Sequence, residues 1–95
     1  MNISDNYELQ SLKGLSYCRY LKSLDVKHCD LKNLDDIGTN IRLKYLNASR
    51  NKRLNNIEGL KDHLHLVELI ISTHDKDIDD TAVFDLAPLN SCPSL

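Results

Sequence analysis

The side chains able to do chemistry in this chain are few, and their spacing can be tested against known kinds of site. His63-Leu64-His65 puts two imidazoles on one side of an extended segment, with His74 as a third candidate, which is how a metal site begins. No carboxylate follows at the spacing of a zinc enzyme, so no metal is expected. Asp75, Asp77 and Asp79 copy the opening of a calcium loop, but Asp80 stands where the sharp turn needs Gly and Leu86 where a bidentate Glu is needed. A solvated acidic loop is the expected reading. His28, His63, His65 and His74 are accompanied by no G-x-S-x-G nucleophile, so no catalytic residue, no reaction and no cofactor are assigned. Gly14, Gly38 and Gly59 are spread at regular intervals along the chain instead of clustering into a phosphate cradle, and each is expected at a tight bend.

Cys18, Cys29 and Cys92 are odd in number and contain no C-x-x-C pair, so neither a disulfide framework nor a zinc knuckle is expected and all three read as reduced. Asn2-Ile3-Ser4 and Asn47-Ala48-Ser49 match the N-glycosylation acceptor pattern. The residues after Met1 carry no basic stretch and apolar run of a secretory leader, so the matches read as accidental and the expected location is cytoplasmic or nuclear. Lys44, Arg50, Lys52 and Arg53 form a short basic cluster. With a net charge of −2 and few aromatics for stacking, it reads as a solvated face, and neither nucleic acid nor membrane is an expected partner.

The elements that position these residues follow from the leucines. Of 95 residues 17 are Leu and only five aromatic, so the core must stack similar aliphatic side chains, which points to a repeat. Leu21-x-x-Leu24-x-Val26-x-x-Cys29-x-Leu31 recurs as Leu43-x-x-Leu46-x-Ala48-x-x-Asn51-x-x-Leu54, with one extra position before the last leucine. A third copy starts at Leu66, as Leu66-x-x-Leu69-x-Ile71-x-x-His74, so that the first two intervals differ in length by a single position. Nine residues before each first leucine stand Leu12, Leu34 and Ile57, and six before stand Leu15, Ile37 and Leu60. Leu86 and Leu89 hold the same offsets from Leu95, so the chain stops where a fourth strand is expected to begin and reads as a fragment. The third interval, from Leu66 to Leu95, is the longest, and its excess falls around His74 to Asp80, expected to be irregular. Alternation within L-x-x-L-x-L gives a short strand with one buried face. An Asn or Cys three residues after the strand can satisfy backbone groups that the bend takes out of the ladder, Asn51 being the strong example. Apolar residues three apart suit short helical or 3₁₀ turns on the return limb.

This pattern resembles the leucine-rich repeat superfamily over Leu9 to Leu95, with spacing like that of its short, roughly 22-residue intracellular class. The resemblance implies an α/β repeat: a leucine-rich repeat solenoid of about three coils, with a short curved parallel sheet on the concave side and 3₁₀ or helical turns on the convex side. One domain, 1–95, is expected, with 1–20 as N-terminal cap and first return limb and 21–42, 43–65 and 66–94 as repeats. Ile3, Tyr7 and Leu9 stand where they would cover the first coil, whereas no capping helix follows Leu86, leaving an edge open to self-association. His74 at the Asn position and Ala48 at a strand core position depart from the pattern.

The resemblance also implies a non-enzymatic scaffold that binds a protein partner on the concave strand face. The outward positions are Ser23, Asp25, Lys27 and His28, then Tyr45, Asn47, Ser49 and Arg50, then Glu68, Ile70, Ser72 and Thr73. Tyr45 beside Ile70, rimmed by Asp25, Lys27, Arg50 and Glu68, has the composition of an interface anchor, and Tyr45, Arg50 and Ile70 are the expected main contacts. The alternatives are the recognition segment of a larger enzyme, such as a ligase or phosphatase complex, and a structural piece in which Leu86, Leu89 and Leu95 matter more than Tyr45 or Ile70.

Overall fold

The computed structural model describes residues 1–71 and 87–95. Three strands, β1 (Ser23–Asp25), β2 (Tyr45–Asn47) and β3 (Glu68–Ile70), form a parallel sheet in the order β1-β2-β3. Parallel neighbours require a long crossover. Here it is made without an α-helix, by return limbs that carry the 3₁₀ turns Leu15–Tyr17, Asp35–Ile37 and Glu58–Leu60, with a fourth at Ala87–Ser91. The central residue of each strand, Leu24, Leu46 and Leu69, points to the core and its two neighbours point out, because successive strand side chains alternate. Leu31, Leu34, Ile37, Leu54, Ile57 and Leu60 close the core from the return limbs, all at most 1% exposed. Ala48 is also fully buried, so this departure from the pattern is a packed small residue.

β1 and β2 end in the same turn. Asn51 is completely buried; its Oδ1 accepts the Leu31 amide at 3.1 Å, and its Nδ2 donates to the Val26, Ala48 and Ser49 carbonyls at 3.0, 3.0 and 3.2 Å. At the preceding turn the Cys29 thiol donates more weakly, to Ile3 O at 3.4 Å and Lys27 O at 3.8 Å. Asn6 does the same one turn earlier, its Nδ2 donating to Ile3 O at 2.6 Å.

The N-terminal residues continue the sheet. Asn2 bridges Asp25 in parallel; the Met1 ammonium donates to Ser23 O, and the Ile3 and Asp5 amides donate to Asp25 O and Lys27 O, each at 2.9 Å. The free edge of β1 is thereby paired. Ile3 and Leu9 pack on the core, but Tyr7 does not: it is 63% exposed and meets the His28 ring edge-on at 4.7 Å.

A second periodic feature, on the return limbs, escaped the leucine pattern. Asn40, His63 and Cys92, each three residues before Leu43, Leu66 or Leu95, are buried. Each donates to a carbonyl of the limb before it: Asn40 Nδ2 to Leu15 O (2.9 Å) and Cys18 O (3.0 Å), His63 Nε2 to Ile37 O (3.0 Å), Cys92 Sγ to Leu60 O (3.1 Å). A carbonyl only accepts, so His63 carries its proton on Nε2. The position demands a donor of suitable reach, which an amide, an imidazole and a thiol all supply. Asn40 Oδ1 and His63 Nδ1 are buried and find no hydrogen-bond partner among the described residues.

The glycines do not share one reason. Gly14 sits at φ 101°, open to a glycine and costly for other residues. Gly38 is right-handed helical, so its bend does not require glycine dihedrals. Gly59 packs so closely on the preceding limb that a Cβ would collide with the Leu34 carbonyl. Residues 87–95 lie against the third return limb: Ser91 Oγ accepts the Asp62 amide at 2.8 Å and Ser94 Oγ donates to Leu64 O at 2.7 Å. The Leu95 amide bonds Cys92 O as Leu21, Leu43 and Leu66 bond Cys18, Asn40 and His63. Among the described residues no helix is long and apolar enough to cross a membrane.

Candidate functional site

The outer face of the sheet consists of two cross-strand rows. Ser23, Tyr45 and Glu68 form the first, and Asp25, Asn47 and Ile70 the second. Tyr45 and Ile70, 46% and 42% exposed, are therefore diagonal neighbours; the residue directly across from Tyr45 on β3 is Glu68, and the one across from Ile70 is Asn47. Their exposure on a sheet whose other face is the core leaves an aromatic and a β-branched side chain open on the outer face among the described residues.

Several of the outward positions are already engaged by the chain itself. Asn47 Oδ1 accepts both the Ser49 amide (3.1 Å) and the Ser49 hydroxyl (2.7 Å), and Asp25 Oδ1 accepts the Lys27 amide at 3.0 Å. These Asx turns redirect the backbone at the strand end. Ser49 is 7% exposed, which corrects its assignment to the contact face: its hydroxyl is held under the turn. Asn2 and Ser4 make the identical pair of bonds, at 2.9 and 2.7 Å. The two Asn-x-Ser matches are thus one turn position occurring twice, not an accident of composition.

After each turn the chain enters the left-handed region, at Asp5 (φ 62°), His28 (φ 59°) and Arg50 (φ 58°). His28 is held there by Asp5, whose Oδ1 lies 3.3 Å from its Nδ1, and by the Tyr7 ring. The N-terminal segment thereby enters the candidate face, which the leucine spacing did not indicate. Arg50 is exposed and has no ion-pair partner among the described residues. Lys27 is half-buried beside the Asp25 turn. Beneath this end of the sheet Cys29 is held as a thiol: burial raises its pKa most, the Asn6 backbone hydrogen bond opposes the rise, and Asp5 and Asp25 add to it. Ser72 and Thr73 lie outside the described residues, as do His74, the Asp75-Asp77-Asp79 series and Leu86.

The fold disperses the imidazoles and the basic cluster. His63 is buried and bonded to Ile37 O while His65 is exposed, so the two imidazoles do not share a side. Among the described residues no group of three or more His, Cys, Asp or Glu is placed to hold a metal ion. The basic cluster is also divided: Arg53 pairs with Asp30 at 2.9 Å, Lys44 precedes β2, and Arg50 follows its far end. Ser23, Tyr45, Arg50, Glu68 and Ile70 remain the exposed side chains of the face among the described residues. Compared with family models, curated proteins and solved structures, the chain matches none of them.

Proposed function

We propose that this chain is a leucine-rich repeat module of the solenoid class that binds a protein partner on the concave outer face of β1–β3, without catalysing a reaction. The reading is supported by parallel strands that pair in register at the near-constant interval of the leucine pattern, and by the buried Asn51 closing the turn as the motif requires. The observation that carries it is the pair Tyr45 and Ile70, exposed as diagonal neighbours on adjacent strands within a rim of Arg50, Glu68 and Asp25. Burying such an aromatic–aliphatic pair is how a partner gains affinity, while the charged rim selects the partner.

The test is site-specific photo-crosslinking, with the reactive group at Ser23, directly opposite Tyr45, or at Glu58 on the return limb. A discrete protein adduct is expected from Ser23 alone, and Tyr45→Ala with Ile70→Asp is expected to abolish it without lowering the thermal midpoint. An adduct from Glu58 alone, or one indifferent to both substitutions, overturns the assignment of the face.

A further inference from the structure

A groove at the start of the strands is lined by Lys22, Arg42, Lys44 and His65, with a volume near 390 Å³. Three are cationic and the fourth is an imidazole, and all are exposed. None has an ion-pair partner among the described residues; Glu68, whose amide bonds Lys44 O at 3.1 Å, makes no ion pair with any of them. Backbone hydrogen bonds set the lysines on adjacent strands, and a ring contact holds the Arg42 side chain. Lys44 and Tyr45 amides both donate to Lys22 O, at 2.8 and 3.1 Å, so the two lysines occupy neighbouring positions across the sheet. Arg42 is held over the Tyr20 ring, 4.8 Å from its centre.

Like charges placed directly across a sheet destabilise it, and among the described residues no carboxylate pairs with them. A chain of net charge −2 that gathers Lys22, Arg42 and Lys44, without an ion-pair partner among the described residues, around one concavity has the composition of an anion site. Arg42 supplies a planar fork of donors and the two lysines supply compact ammonium groups, a combination matched to tetrahedral oxyanions. The geometry points to a phosphate-class anion as the ligand of this groove, a site separate from the Tyr45–Ile70 contact and independent of whether a protein binds there. Arg42 also lines the adjoining groove, with Tyr17, Tyr20 and Ile41, so a ring attached to the phosphate has an apolar surface next to it.

The experiment is an NMR titration of the whole chain with inorganic phosphate and, separately, with adenosine monophosphate, above the second ionisation of phosphate and against sodium chloride at matched ionic strength. Saturable shifts confined to the amides around Lys22, Arg42, Lys44 and His65 are expected. Lys22→Gln with Lys44→Gln is expected to weaken binding at least about fivefold, whereas Lys13→Gln with Lys61→Gln, an equal change of charge on the return limbs, leaves it unchanged. Tighter binding of adenosine monophosphate identifies a nucleotide as the source of the phosphoryl group, and equal binding identifies the phosphoryl group alone. Shifts that follow ionic strength without saturating, or saturable binding that survives Lys22→Gln/Lys44→Gln, overturn the proposal.

Discussion

Asn51→Ala removes four hydrogen bonds from a site with no exposure. Ser49 O keeps a donor, the His28 amide at 2.9 Å, but the Leu31 amide and the Val26 and Ala48 carbonyls lose the side chain that satisfied them. An unsatisfied buried polar group costs about 1–3 kcal/mol. Taking the lower part of that range for three groups gives about 3–5 kcal/mol, a large share of the roughly 5–15 kcal/mol that holds a small domain together. For a chain of this size the midpoint shift is at least about 12 °C. Two further substitutions distinguish the cause. Asn51→Asp keeps the shape but turns a donor at 3.0 Å from two carbonyls into an acceptor, so the ionised form is repelled and is more damaging than alanine at neutral pH. Because the folded state disfavours the carboxylate, that variant binds its proton more tightly folded than unfolded. Its stability rises as the pH falls toward the ordinary aspartate range of about 4. Asn51→Cys copies Cys29 and is intermediate, keeping a weak donor but no acceptor for the Leu31 amide. Urea titrations followed by far-ultraviolet circular dichroism measure all three. An Asn51→Ala variant within about 1 kcal/mol of the parent, or an Asn51→Asp variant equal to it at neutral pH, refutes the hydrogen-bond account of the turn.

Gly59→Ala is expected to cost about 3 kcal/mol or more, because the new Cβ meets the Leu34 backbone and not a movable side chain. Gly14→Ala, with open space around it and only its φ of 101° to oppose it, costs about 1–2 kcal/mol; equal thermal midpoints for the two variants contradict this. The raised Cys29 pKa makes a pH prediction of definite sign. Above about pH 8.5 the unfolded thiol ionises first, so its contribution to stability falls as pH rises through the window up to the folded value, and is constant below it. The urea midpoint of the parent is expected to fall relative to that of Cys29→Ser between neutral and alkaline pH, and parallel profiles argue against burial as the cause.

Spacing alone was enough to locate β1, β2 and β3 and to orient them, because the leucines recur with a period longer than a strand and alternate within it. Asn51 was legible for the same reason: one residue type at one offset does a job that depends on its own turn. Apolar residues three apart called for short helical or 3₁₀ turns, and the structure has 3₁₀ turns there. The candidate face was legible as a set of outward positions, but their availability was not, since it depends on groups distant in the chain. His28 is claimed by Asp5 and Tyr7, Ser49 is drawn under its turn by Asn47, and Tyr45 lies opposite Glu68 instead of Ile70.

The buried donors Asn40, His63 and Cys92 left no trace in the sequence because the requirement is for an N–H or S–H aimed at a neighbouring carbonyl, and three unlike residues meet it. Gly59 is likewise indistinguishable from a bend residue by sequence, since it is the Leu34 carbonyl, from the limb before, that occupies the space of its side chain. Nor does the order of the residues show that Lys22, Arg42, Lys44 and His65 share one groove. Periodic burial, which each segment decides for itself, was written in the sequence; which polar groups meet was decided only when one return limb and strand packed on the next, because a hydrogen bond depends on both partners' positions.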